Sequence, residues 1–220
     1  MFDVPRQAAV QHTIEVHERE SMSVERIQRH FRDSAEVKLA ALETLSVPIA
    51  AAIDTMFTAL ANGNRILACG NGASAADAQR FAAGLIDRFE RERPGLPAIA
   101  LGTDSAVLTA IGEHDAFDQV FAKQVRALGQ PGDVLLAISA TGNAANVVAA
   151  IGDAHEREMI VIALTGHCGG NGGGRVGEAL HDTDIHLCVP ADRAARIHEV
   201  HLLTIHCLCD GIDAMLLGED

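Results

Sequence analysis

The stretch Ile66–Arg88, I-L-A-C-G-N-G-A-S-A-A-D-A-Q-R-F-A-A-G-L-I-D-R, decides how the chain is read. Four apolar residues, Ile66 to Cys69, run into Gly70-Asn71-Gly72-Ala73-Ser74, and a helical pattern follows at once. Small residues at the end of a buried strand let the backbone turn sharply and present free N–H groups at a helix N-terminus, where an anion is stabilised. In an open α/β sheet such an anion lies at the carboxyl ends of the strands. Glycine-rich strand-to-helix turns also occur without any ligand, so this stretch alone leaves an ordinary turn and an anion site open.

At 220 residues the chain is the size of one α/β domain with a helical extension. Trp and Tyr are absent and Phe numbers 7, which leaves little to stack on nucleobases. A net charge of -13 argues against direct binding to nucleic acid or to an anionic membrane surface. A small phosphate is still within reach, because loop N–H groups act locally. No secretory leader pattern and no apolar run of membrane-spanning length are read, so a cytoplasmic location is expected. The cysteines, Cys69, Cys168, Cys188, Cys207 and Cys209, are odd in number and form no C-x-x-C pair. Reduced thiols are expected rather than a disulfide framework.

Residues 1–62 read as a helical segment and 63–220 as the α/β domain. Thr13–Leu45 carries Val24, Ile27, Phe31, Val37, Leu39 and Leu42 at helical spacing. Ser46 is the expected N-cap of a second helix, with Pro48 in its first turn and Asn62-Gly63-Asn64 as its stop. Beyond Ile66 the predicted strands are Leu96–Leu101, Asp133–Ser139, Met159–Thr165 and Asp184–Val189, with helices between them. This alternation predicts a parallel sheet covered on both faces. The segment Gly166–Gly177 is rich in glycine and is expected to be a mobile surface loop rather than part of a phosphate cradle. A second strand-loop-helix unit, S-A-T-G-N-A-A-N from Ser139, resembles the first. Hydroxyls of Ser74, Ser139 and Thr141 and the adjacent N–H groups would converge on one phosphate.

The last predicted helix, Asp192–Leu217, is apolar on all sides between Ala195 and Cys209, the mark of a buried helix. His198, Glu199, His201 and His206 therefore require partners or a use. Glu199 and His206 share a face to within about 20°. A single buried histidine is most simply a core residue, whereas for the group function and structure stay equally open. No further His or Cys falls at a helical spacing that completes a tetrahedral zinc set.

Four segments carry a resemblance: C-G-N-G-A-S-A-A-D-A-Q at Cys69–Gln79, R-P-G-L-P-A-I-A-L at Arg93–Leu101, G-D-V-L-L-A-I-S-A-T-G-N at Gly132–Asn143, and R-I-H-E-V-H-L-L-T-I-H at Arg196–His206. On these residues the chain resembles the SIS-domain family of phosphosugar-binding proteins, in the branch that holds phosphoheptose isomerase and the DnaA initiator-associating protein. The resemblance implies a three-layer α/β/α sandwich with a five-stranded parallel sheet. It also implies N-terminal helices that pack on the domain and in a homotetramer with sites at subunit interfaces. It places phosphosugar binding at Asn71, Gly72, Ala73, Ser74, Ser139, Thr141 and Asn143, with His198 at the family's Gln position.

The family's isomerase interconverts sedoheptulose 7-phosphate and a heptose 7-phosphate for lipopolysaccharide synthesis. Its base is the Glu of H-F-A-x-E-L, a segment that here reads Arg80-Phe81-Ala82-Ala83-Gly84-Leu85. Gly84 thus stands for the base, and Arg80 for the His that ligates zinc in metal-binding members. No cofactor or metal is expected for that reason. His206 falls on the family's acid-base His and is the candidate acid-base, with Glu199 a weaker substitute. General base catalysis typically contributes about 10²- to 10⁴-fold, so the cradle reads as kept and the isomerase chemistry as lost. The expectation is a phosphosugar-binding regulator of replication initiation, which contacts the initiator through Leu216 and Leu217. The alternative is a phosphoheptose isomerase.

Overall fold

In the computed structural model every residue of β1, Ile66–Gly70, is buried, as an unbroken apolar run requires when both sheet faces are covered. The structure describes residues 4–167 and 172–218, with side chains from Met22 onward. The strands are β1, β2 (Ala98–Ala100), β3 (Val134–Ser139), β4 (Ile160–Thr165) and β5 (Ile185–Cys188). They form one parallel sheet in the order β2-β1-β3-β4-β5. The helices are α1 (Val4–Ala61), α2 (Ala73–Ile86), α3 (Ser105–His114), α4 (Ala122–Leu128), α5 (Ala145–Glu156), α6 (Gly174–Glu178) and α7 (Ala194–Leu217). One face of the sheet packs Met56 of α1, Phe81 and Leu85 of α2, and Leu208 and Ile212 of α7. Val125 of α4 and Val147 and Ile151 of α5 cover the other face. The three-layer sandwich is the expected one.

Four expectations need correction. Residues 4–61 form one helix, not two, with Pro48 inside it. Ser46 is not an N-cap: its hydroxyl donates back to the Leu42 carbonyl at 2.6 Å, inside the turn. A buried stripe of Ala41, Leu45, Ala52, Met56 and Ala59 runs on both sides of Pro48. Its 3.6-residue period carries the helix across a residue that would otherwise break it. Second, residues 172–178 of the glycine-rich segment are not a loose surface loop. They form the start of α6, and the Val176 N–H donates to the Gly142 carbonyl at 2.8 Å.

Third, Cys188 is disulfide-bonded rather than reduced, while Cys69, Cys207 and Cys209 are free thiols. Cys168 lies outside the described residues. Fourth, Met22–Ala61 and Ala194–Leu217 are each long and apolar enough by composition to cross a bilayer. Here α7 buries Ile197, Val200, Ile205 and Leu208 together with Arg196, His201 and Asp213. Buried charges of this kind suit a helix at the centre of a domain and would be costly against lipid.

One buried ion pair joins α7 to α2. Arg93 and Asp213 pair with side chains 0% and 2% exposed. The guanidinium also donates to the carbonyls of Gly84 at 2.6 Å and Leu85 at 2.8 Å. Removing one member leaves the other charged and unpaired in the interior, at a cost of about 3–5 kcal/mol. Asp213→Ala should therefore lower unfolding stability by about 3 kcal/mol or more in urea titrations. A loss below about 1 kcal/mol would show that the pair contributes little.

Candidate functional site

The loops after β1 and β3 meet where the chain's connections diverge to opposite sides of the sheet, the place where open α/β sheets bind ligands. Gly72, with φ 57°, turns the chain from β1 into α2, a left-handed conformation that L side chains rarely adopt. The N–H groups of Ser74, Ala75 and Ala76 are used within this turn. Those of Gly72 and Ala73 make no hydrogen bond among the described residues and remain as donors at the positive end of α2. The second loop is pressed into shape from behind. A Cβ at Gly142 would collide with the Gly173 carbonyl, so the glycine-rich segment is the back wall of this loop.

The two loops are bolted together. Asn71 Nδ2 donates to Asn146 Oδ1 at 2.8 Å, and Asn146 Nδ2 donates to Asn71 Oδ1 at 2.9 Å. Between them lies a cavity of about 190 Å³ lined by Asn71, Ser74, Ser139, Thr141 and His198, with Ile138, Ala140 and Ala144. Ligand pockets for whole small molecules run to about 300–1,000 Å³. This one has room for a phosphate and leaves the body of a sugar to project outward. A larger hollow of about 720 Å³, between α1 and Arg193, shares no residue with it.

Five of the expected binding residues thus line one cavity, and the others are placed differently. Gly72 and Ala73 form the exposed crest of the first loop. Asn143 is spent on structure, donating to the Thr141 carbonyl at 2.8 Å and accepting from the Arg175 N–H at 3.3 Å. Glu199 pairs with Arg196, which also donates to the His30 carbonyl at 2.6 Å; the second Glu199 oxygen is buried without a partner among the described residues. His206 packs against Phe89, ring centroids 5.5 Å apart. It lies eight residues beyond His198, about 12 Å along α7, so the two cannot act on one atom within a chain. Leu216 and Leu217 are each 41% exposed at the far end of α7.

Asp77 was not singled out from the sequence. It follows Ser74 by one turn of α2 and lies seven residues before Gly84, within about 20° of the same face. That spacing was the available signal. Burial raises its carboxyl above the ordinary range, while the charges of His198 and Arg80 pull it down. A carboxylate therefore stands beside the cradle although Gly84 supplies none. At Gly84 a Cβ would sit 3.1 Å from Cys209 Sγ, so the sulfur fills the space next to the vacant side-chain position. At the family's zinc-ligand position stands Arg80, a cation that cannot ligate zinc, and Gly84, one turn on, has no donor.

An SIS domain model matches residues 30–166. The chain belongs to the SIS domain family. Phosphoheptose isomerase of Azoarcus sp. (strain BH72) is 65% identical over 195 residues, covering 89% of this chain and 97% of the relative. The counterpart in Dechloromonas aromatica (strain RCB) is 62% identical, covering 89% and 97%. The solved phosphoheptose isomerase of Neisseria gonorrhoeae superposes with a TM-score of 0.81 at 50% identity, covering 86% of this chain and 98% of that one. This SIS domain therefore keeps the fold of the solved enzyme.

His201 supports the site from behind. Its Nε2 lies 3.0 Å from the Thr165 carbonyl, which can only accept, so Nε2 carries the proton and Nδ1 is left bare and buried. Burial, opposed by that bond, lowers its pKa to about 4. The unfolded chain therefore takes up this proton first as pH falls. The stability associated with neutral His201 is intact above about pH 6.5 and is lost as pH drops towards about 4. In His201→Gln the loss of unfolding stability across that window should shrink by about 3 kcal/mol, read from urea titrations at a series of pH values. An unchanged pH profile would mean that another group carries it.

Proposed function

We propose that this chain is a sugar-phosphate isomerase of the phosphoheptose type, acting on sedoheptulose 7-phosphate. The observation that carries the reading is the hydroxyl-lined cavity at the β1/β3 crevice, in a chain 65% identical to a phosphoheptose isomerase. The phosphate is held by the Gly72 and Ala73 N–H groups and the hydroxyls of Ser74, Ser139 and Thr141. The sugar projects past His198. Moving the carbonyl between neighbouring carbons needs one group to take a proton from one carbon and return it to the next through an enediol. Asp77 is the base in this proposal, because its carboxyl interacts electrostatically with His198, which lines the cradle.

The initiator-associating role expected from the sequence draws no support from these relatives, and no partner is assigned to Leu216 and Leu217. A homotetramer in the cytoplasm remains part of the proposal. On α1, Val24, Ile27, Phe31, Leu39, Leu42 and Val47 are more than half exposed, an apolar surface suited to a second copy. The small cavity is also consistent with a site completed between subunits.

The test is turnover of sedoheptulose 7-phosphate by the purified protein, followed by NMR. Activity is expected, with Asp77→Asn lowering kcat by about 10²-fold or more. The raised Asp77 carboxyl predicts that kcat grows with pH through a midpoint above the usual carboxylate range, since the base must be ionised. An inactive wild type would overturn the isomerase reading. An active Asp77→Asn with unchanged kcat would remove Asp77 as the base.

A further inference from the structure

The described residues hold one compact group of metal-ligating side chains outside the cradle: His155, His181 and Asp184. His155 is in the last turn of α5, His181 follows α6, and Asp184 immediately precedes β5. The group lies at the amino-terminal edge of the sheet, whereas the cradle lies at the carboxyl edge. A strand of six residues, as in β4, separates the edges by about 20 Å.

The geometry is specific. His155 Nε2 is 2.7 Å from Asp184 Oδ2, and the rings of His155 and His181 stack with centroids 3.6 Å apart and planes inclined by 13°. One donor atom from each of the three residues lies within 4.8 Å of the others. The carboxylate is held from behind: Oδ1 accepts the Val161 N–H at 2.9 Å, and Oδ2 accepts the His181 N–H at 2.8 Å. Backbone donors that fix a ligating carboxylate in this way are typical outer-shell support for a metal.

We propose that His155, His181 and Asp184 bind one divalent transition-metal ion of the zinc class. Two imidazoles and one carboxylate suit zinc, nickel or copper; magnesium and calcium prefer sites made of oxygen. Tetrahedral zinc at about 2.0–2.2 Å from each ligand needs donors about 3.4 Å apart. His155 Nε2 and Asp184 Oδ2, now 2.7 Å apart, part slightly to admit the ion, and exposed His181, on a turn, swings out of the stack, because an ion lies in the plane of each imidazole that binds it. The ion replaces the proton between His155 Nε2 and Asp184 Oδ2, and water completes its coordination on the exposed side. It ties the end of α5 to the start of β5 and takes no part in proton transfer at the cradle.

The test is titration of chelator-treated, full-length protein with Co(II) and Zn(II), read by calorimetry and by visible absorption of Co(II). One Co(II) per chain is expected, displaced by Zn(II), with a rise in Tm on Zn(II) addition. His181→Ala and His155→Gln should each weaken Co(II) binding tenfold or more, with circular dichroism showing that both variants stay folded. A wild type that binds neither ion overturns the proposal. So does Co(II) binding of unchanged affinity and absorption in both variants, which would locate the ion elsewhere. Neither result bears on turnover, so this site and the isomerase reading stand or fall separately.

Discussion

The reciprocal amide pair between Asn71 and Asn146 is the constraint on which the site depends. Each side chain gives one hydrogen bond and receives one, so neither loop can shift without leaving a half-buried amide unsatisfied. The pair spans the β1/β3 crevice, the point in the sheet where the connections part. It converts two separate strand-to-helix turns into one concave surface with helix N-termini on both sides. The hydroxyls of Ser74, Ser139 and Thr141 take up their positions as a consequence, because each is a short side chain on a backbone that the pair holds still.

The region around Gly84 is tightly packed and bonded. Its carbonyl accepts from Arg93, which is ion-paired with Asp213 on α7, and Cys209 Sγ fills the space towards which a side chain would point. Burial and the nearby Asp213 raise the Cys209 thiol to about 12, so the sulfur is a packing group and not a nucleophile. Asp77 and His198 interact at the other end of α2, nearer the cradle. The chain is similar to phosphoheptose isomerases along almost its whole length.

Much of the fold was legible in the residues. Unbroken apolar runs such as V-L-L-A-I-S marked strands buried on both faces. The failures have physical causes. Ser46 and Pro48 are local signals for a helix start, and the packing stripe of α1 overrode them. The glycines after Gly166 suggested a mobile loop because a sequence shows their flexibility and hides the close backbone approach of Gly173 and Gly174 to Gly142. Asp77 was missed because its spacing from Ser74 and Gly84 gives its face on the helix but not what that face meets; its environment is set in part by His198, far away in the chain.

The sequence by itself determined the layered parallel sheet and the two small-residue loops at its carboxyl edge, since each follows from side-chain size, polarity and spacing along the chain. Only the tertiary structure decided which polar groups share a cavity. It set His198 and Asp77 beside the cradle, withdrew Asn143 and Glu199 into bonds of their own, and brought His155, His181 and Asp184 together. Such encounters depend on how helices and strands pack across tens of residues, and hydrogen bonds and desolvation act through space, without regard to order in the chain.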